Sequence, residues 1–168
     1  MKKTILSTLL AALPLGAAEP ALPAWKPTTA GEKLLSEFWR RVYNQPQDFS
    51  AIDQLCTEDF ILTTSGQDVA GRTAFKEWVL KFSSRIRGLQ LTNLEMFSNP
   101  EGTRVVSRWK VVGRNQGMFG IQSDDRPVEF TGIAIWEIRD GKLAHNWVER
   151  SAYELFQQLQ KPLAPKTP

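Results

Sequence analysis

Residues 126–150, RPVEFTGIAIWEIRDGKLAHNWVER, decide the fold class of this 168-residue chain. Apolar and polar residues alternate on both sides of Asp140-Gly141, a dipeptide that is typical of a two-residue hairpin loop. The stretch therefore predicts two antiparallel strands, from Val128 to Ile138 and from Leu143 to Arg150. The same alternation upstream predicts two more strands, from Leu89 to Phe97 and from Arg104 to Val112.

The first half of the domain has the periodicity of helices instead. Leu35, Phe38, Trp39 and Val42 recur at helical spacing and predict an amphipathic first helix. Helices followed by a meander of strands are typical of an α+β fold, in which helices cover one face of a curved, mostly antiparallel sheet. We also expect a short helix from Asp48 to Cys56, a brief strand from Phe60 to Thr63, a third helix after Gly71 and a closing helix through Tyr153 and Leu159.

Both ends of the chain differ in composition from the domain between them. Met1-Lys2-Lys3, an apolar run to Leu15 and the small residues Gly16-Ala17-Ala18 are typical of a signal peptide. We therefore expect an exported bacterial protein, periplasmic or secreted, with no stable membrane insertion after cleavage; an N-terminal anchor is the alternative. The predicted organisation is a signal peptide at 1–18, a proline-rich leader at 19–30, one domain at 31–160 and a mobile tail at 161–168.

The formal net charge of +3 does not belong to the domain. Residues 31–152 carry sixteen basic and sixteen acidic side chains, so a nucleic-acid partner is not expected. The chain has one histidine and one cysteine, without the spacing of a metal site, a P-loop or a nucleophile elbow. The sequence therefore predicts neither a metal nor a cofactor.

Several motifs resemble the SnoaL-like branch of the nuclear transport factor 2-like superfamily. Gly117 to Ile121 and Arg126 to Ile133 are similar to its glycine loop and the strand after it, and Ile138 to Trp147 to its hairpin. Thr57 to Phe60 and Gly71 to Lys76 are similar to its first strand and third-helix entry. The resemblance implies a cone-shaped fold, with a strongly bent sheet around a long helix and a mostly apolar pocket. It also implies polyketide cyclases, ester cyclases, isomerases or dehydratases as relatives, and it allows a homodimer.

The resemblance also indicates where the family's acid-base residues would lie. The cyclases that this chain resembles carry an aspartate four residues after the tryptophan that matches Trp147, and Ser151 stands there. They commonly carry histidine or aspartate at the position of Ala134, and histidine at the position of Thr63. This acid-base set is therefore largely absent, because a serine hydroxyl does not titrate in the useful range.

Three other residues are candidate acid-base catalysts. Side chains alternate along a strand, so His145, Trp147, Glu149 and Ser151 share one face of the last strand, which we take as the pocket side. His145 titrates near neutrality, and Glu149 in an apolar pocket would have a raised pKa. Asp59 is the third candidate. The alternatives are a structural histidine, a Glu149 that is solvated or paired with an arginine such as Arg108, and an Asp59 that caps a turn.

Aromatic residues give the clearest indication of a ligand. Flat side chains both pack a core and form walls for ring-shaped apolar molecules. We therefore expect binding of a small hydrophobic or aromatic molecule, with catalysis, where present, by proton transfer in a cyclisation, isomerisation or dehydration. A non-catalytic ligand-binding module or a dimeric interaction module is the alternative. The predicted ligand-binding residues are Trp39, Phe60, Trp109, Phe130, Trp147 and Ser151.

Overall fold

The computed structural model describes residues 26–162. The predicted signal peptide, most of the leader and most of the tail lie outside these residues. None of the helices within this range is long and apolar enough to cross a membrane. In chain order the elements are α1 (Ala30–Val42), α2 (Ser50–Leu55), β1 (Cys56–Thr64), β2 (Gln67–Ala70), α3 (Arg72–Ser84), β3 (Ile86–Ser98), β4 (Arg104–Asn115), a 3-10 turn (Met118–Gly120), β5 (Pro127–Arg139), β6 (Lys142–Arg150) and α4 (Ala152–Gln160).

One six-stranded sheet, in the order β2-β1-β6-β5-β4-β3, forms the frame of the molecule. Neighbouring strands are antiparallel except β1 and β6, which are parallel, so the α+β fold with a mostly antiparallel sheet is confirmed. Register shifts interrupt the β3–β4 pair at two places. Such bulges bend a sheet locally and increase its twist.

Helices α1 and α3 pack against the sheet and bury one of its faces. Phe38 of α1, which is fully buried, makes ring contacts with Phe75 of α3 and Trp136 of β5 at centroid distances of 6.2 and 5.6 Å. On β5, every second residue from Val128 to Trp136 is buried. The face between helices and sheet is the inner face, and the opposite, exposed face is the outer face.

The start of α1 is fixed to the sheet by Glu32. Thr29 caps the helix, and Glu32 completes a capping box with it. The Glu32 carboxylate also accepts hydrogen bonds from Thr28 and from the Ser98 hydroxyl of β3. The first turn of α1 is therefore held at the end of β3.

Candidate functional site

Two connected spaces, an outer cavity and a deeper inner recess, both lie on the inner face of the sheet. The outer cavity, about 320 Å³, is bounded by α3, the 3-10 turn, α4 and the strands β5 and β6. The inner recess, about 30 Å³, continues among more buried residues and shares Trp78, Phe82 and Arg150 with the cavity. Besides these three, the cavity is lined by Lys81, Arg85, Met118, Phe119, Phe130, Ala152 and Leu155. The recess is lined by Trp39, Tyr43, Leu62, Leu91, Trp109, Val111, Trp136, Asn146 and Val148.

Aromatic rings form one wall of the outer cavity. Trp78 and Phe82 lie one helical turn apart on α3, and their rings stack at 5.2 Å. Phe130 meets Phe82 edge-on at 6.3 Å and meets Trp109 at 6.1 Å. A continuous flat surface of this kind suits a ring-shaped apolar molecule.

Gly132 explains how the wall extends across the sheet. In the register of the strands, Trp109 of β4, Gly132 of β5 and Arg150 of β6 lie in one row. A Cβ atom at Gly132 would lie 2.3 Å from the ring of Trp109, so only a glycine lets that ring lie across β5. The ring and the guanidinium therefore occupy the same row of the inner face.

Arg150 is the charged group that both spaces share. Its guanidinium carbon lies 5.0 Å from the ring centre of Trp78 and 5.4 Å from that of Phe82, both within cation–π range. Its Nη2 donates a hydrogen bond to Oγ1 of Thr64 at 3.1 Å. Burial lowers the pKa of the guanidinium, yet an arginine stays charged in a protein.

Two further polar groups enter the recess. Tyr43 is 8% exposed, and burial raises the pKa of its phenol, which therefore stays neutral and able to donate a hydrogen bond. Asn146 is 6% exposed, and its Oδ1 has no hydrogen-bond partner within residues 26–162. An unsatisfied buried acceptor costs about 1–3 kcal/mol, so this position favours a water or a ligand that supplies a donor.

Half of the predicted ligand-binding residues line these spaces. Trp39 and Trp109 line the recess, and Phe130 lines the cavity. Phe60 does not, because it is fully buried against Phe75 at a centroid distance of 4.3 Å. Ser151 lies at the start of α4, where its hydroxyl accepts a hydrogen bond from the Thr131 amide.

The predicted pocket side of β6 is wrong. Asn146, Val148 and Arg150 face the recess, whereas His145, Trp147 and Glu149 alternate with them on the outer face. The alternation of side chains along a strand separates its two faces but does not say which face is covered by the helices. The prediction placed Trp147 in the pocket and therefore chose the wrong face. Trp147 is stacked at 3.6 Å on His145 instead of facing a ligand.

The three predicted catalytic residues are not brought together at the cavity. Oγ1 of Thr63 donates to Asp68 at 2.6 Å, so Nε2 of His145, at 2.8 Å, donates to that same oxygen. Glu149 is exposed on the outer face, and Arg108 pairs with Glu95 rather than with it. Asp59 of β1 is exposed and forms an ion pair with Arg139 of β5. Their catalytic roles stay predictions.

Four side chains that the sequence did not single out contribute most to the site: Trp78, Tyr43, Asn146 and Arg150. The sequence did contain a signal for Asn146 and Arg150, because they share one face of the last strand with the apolar residues Ala144 and Val148. Polar residues on a strand face that is otherwise apolar are typical of the lining of a ligand pocket. Lys81, Arg85 and Arg150 are the titratable cations around the cavity, and its described lining includes no aspartate, glutamate or histidine.

The described lining of the cavity and the recess has no cluster of metal ligands. Within residues 26–162, no three His, Cys, Asp or Glu side chains lie close enough together to bind an ion. The polar groups that face the cavity and the recess are suited to binding an organic ligand through hydrogen bonds, charge and ring contacts.

Comparison with known structures shows the fold. A protein from Jannaschia sp. CCS1, described as a SnoaL-like polyketide cyclase, superimposes with a TM-score of 0.73 at 14% identity, covering 84% of this chain and 99% of that one. TsrD from Streptomyces laurentii gives 0.68 at 23% identity, covering 78% and 95%. A protein with a ketosteroid isomerase-like fold from Catenulispora acidiphila gives 0.63 at 13% identity, covering 79% and 98%. The chain therefore has the cone-shaped nuclear transport factor 2-like fold.

Sequence comparison shows the family. No curated protein matches this chain. The model of the SnoaL-like polyketide cyclases matches residues 33–159, which include all the helices and strands described above except the first three residues of α1 and the last residue of α4. The match supports a ligand-binding or cyclase-type domain. The chain belongs to the SnoaL-like polyketide cyclase family.

Proposed function

We propose that this protein binds a small, flat, apolar molecule in the outer cavity. The observation that carries the proposal is the wall of Trp78, Phe82 and Phe130 around about 320 Å³. This volume lies at the lower end of the range for small-molecule sites, about 300–1,000 Å³. Rings of the ligand would stack on the wall, and the narrow recess would admit only a water or a small substituent.

A cyclase-type or isomerase reaction is the second candidate. Tyr43 and Arg150 favour it, because a neutral phenol and a guanidinium lining the same recess can both stabilise an oxyanion or enolate. Binding ranks first because the described lining offers no carboxylate or imidazole that could remove a proton.

Binding of N-phenyl-1-naphthylamine, a neutral fluorophore, tests the proposal. We expect its emission to rise and saturate with added protein, and we expect Trp78→Ala to weaken binding by at least about tenfold, because a stacked aromatic contributes roughly 1.5 kcal/mol or more. Fluorescence titration measures both. Trp147→Ala is the matched control: it also removes a half-buried tryptophan that lies under an arginine, but on the outer face.

The controls also show on which face of the sheet the fluorophore binds. Unchanged affinity in Trp78→Ala, or equal losses in the two tryptophan variants, would contradict binding in the outer cavity. His145→Ala is expected to bind the fluorophore as the unaltered protein does, because the imidazole lies on the outer face.

Export is part of the same proposal, supported by the apolar run and small residues before Glu19. When the full chain is expressed in a bacterium, we expect the protein in the periplasmic or secreted fraction, with Glu19 as its first residue on N-terminal sequencing. A membrane-bound product that still begins at Met1 would support the N-terminal anchor instead. A homodimer stays a prediction from the family resemblance.

A further inference from the structure

The arginines of this chain divide into two groups. All eleven lie within residues 26–162, and only Arg85 and Arg150 have no Asp or Glu oxygen within 4.0 Å there. Both line the outer cavity. The other nine each form an ion pair: Arg40, Arg41, Arg72, Arg87, Arg104, Arg108, Arg114, Arg126 and Arg139.

Lys81 adds a third cation to the cavity, again without a carboxylate at ion-pair distance in the described part of the chain. Lys81 and Arg85 lie one turn apart at the end of α3, so both side chains face the cavity from one side. A concave surface with charges of one sign attracts a ligand of the opposite sign, and its low-dielectric walls strengthen the attraction.

Arg150 differs from the other two cations because it is held in place. Its guanidinium lies over two rings and donates to Thr64, while Lys81 is exposed and Arg85 half-buried. One fixed hydrogen bond leaves most of its five donors unused, and a planar fork of donors matches a carboxylate in bidentate geometry. The position therefore has the chemistry of an anion site at the junction of cavity and recess.

The unpartnered Oδ1 of Asn146 is an independent indication that a polar group belongs here. Asn146 is on the same face of β6 as Arg150, and both line the recess. A buried oxygen that lacks a donor, on a residue that is 6% exposed, favours a bound water or ligand group over an empty apolar space. The polar end of a ligand is thus expected at the recess, with its rings on the wall of Trp78 and Phe82.

We propose that the ligand is an aromatic or alicyclic acid whose carboxylate lies against Arg150. This inference rests on the proposed binding function and specifies the ligand's chemical class. Rings and acid group are recognised by adjacent surfaces: the rings by the α3 wall, and the anion by the guanidinium that is stacked on the same wall. Lys81 and Arg85, at the mouth, increase the attraction without holding the group.

Displacement of bound N-phenyl-1-naphthylamine by two molecules of the same shape tests the inference. 2-Naphthoate carries a carboxylate and 2-naphthamide a neutral amide on the same rings. At neutral pH and low ionic strength, we expect the naphthoate to displace the fluorophore at roughly a tenfold lower concentration, the size expected for one charge-assisted contact. Raising the salt concentration is expected to reduce this preference, because the cavity is open to solvent.

Arg150→Met keeps an unbranched side chain at the site but removes its charge. We expect this variant to lose the preference for the naphthoate, because the acid and the amide then meet the same uncharged side chain. A cooperative urea transition shows that the variant is folded. Arg104→Gln is the matched control. Arg104 also lies over a tryptophan, with its guanidinium 5.1 Å from the ring of Trp147, but on the outer face and neutralised by Glu137.

The outcomes distinguish the inference from the proposed function. If the fluorophore binds and the two naphthalenes displace it equally, the inference that the ligand is an acid is wrong, while the proposed binding function is retained. A preference that survives in Arg150→Met would also overturn the inference, since the anion would then lie elsewhere. If Arg150→Met no longer binds the fluorophore, Arg150→Lys decides: it must keep a preference for the naphthoate, or the assignment fails. No fluorophore binding by the unaltered protein contradicts the proposed function itself.

Discussion

Replacing Phe38 with alanine is expected to lower the free energy of unfolding by about 3–5 kcal/mol, the cost of removing a fully buried aromatic side chain. The Phe38 ring is 0% exposed and contacts the rings of Tyr43, Phe75 and Trp136. These three belong to α1's end, α3 and β5, so the cavity left behind would weaken the packing of both helices on the sheet. A loss of that size is a large part of the usual stability of a single domain.

Urea denaturation followed by tryptophan fluorescence measures this loss. Phe97→Ala is the control, because Phe97 of β3 is 56% exposed and its removal is expected to change stability by no more than about 0.5 kcal/mol. If the two variants lose similar stability at unchanged m-value, Phe38 does not hold the helices to the sheet as described.

Strong periodic patterns predicted most of the fold. The alternation around Asp140-Gly141 predicted β5 and β6 to within one residue at each end. Two elements of the first half were less predictable. Strand β1 begins at Cys56 and not at the predicted Phe60, because the polar residues Thr57-Glu58-Asp59 interrupt its apolar pattern. The predicted second helix therefore included Cys56, which is the first residue of this strand. Strand β2, Gln67–Ala70, has only four residues and pairs with β1 alone, so its sequence carries little period-two signal.

The site was harder to predict than the fold because its residues come from elements that meet only in space. Trp78 looks like a core residue of α3 in the sequence, and nothing local shows that its ring continues as the wall of a cavity. The charges at Arg85 and Arg150 are also ambiguous in sequence. An arginine can bind an anionic ligand when the fold places no carboxylate beside it, and that placement depends on the register of distant strands.

Parity on β6 illustrates the same limit. Both faces of that strand carry aromatic or polar residues that could belong to a pocket: His145 and Trp147 on one face, Asn146 and Arg150 on the other. The inner face is decided by the neighbours in the sheet: Asn146 lies beside Trp136 and Leu62, which are buried under the helices. The alternation is a local property, whereas the side that the helices cover is a property of the whole domain.

Replacing Gly132 with alanine is expected to destabilise the domain by about 1–3 kcal/mol and to change the shape of the recess. The added Cβ would lie 2.3 Å from Cζ2 of Trp109 and 2.8 Å from the Glu149 carbonyl oxygen. No atoms approach this closely without movement, and the indole is the more mobile of the two neighbours. We therefore expect the Trp109 ring to be displaced from β5, into the recess that it lines beside Arg150.

A double-mutant cycle isolates this contact. In a Trp109→Leu background the large ring is gone, so Gly132→Ala is expected to cost less than in the unaltered protein, with a coupling of about 0.5–3 kcal/mol. Urea denaturation of the four proteins measures the coupling, and fluorophore titration of the same four measures the effect on the site. Equal costs of Gly132→Ala in both backgrounds would show that the carbonyl of Glu149, and not the Trp109 ring, requires a glycine at this position. In that case the row of Trp109, Gly132 and Arg150 would be a feature of strand spacing alone, and its glycine would have no part in shaping the ligand site.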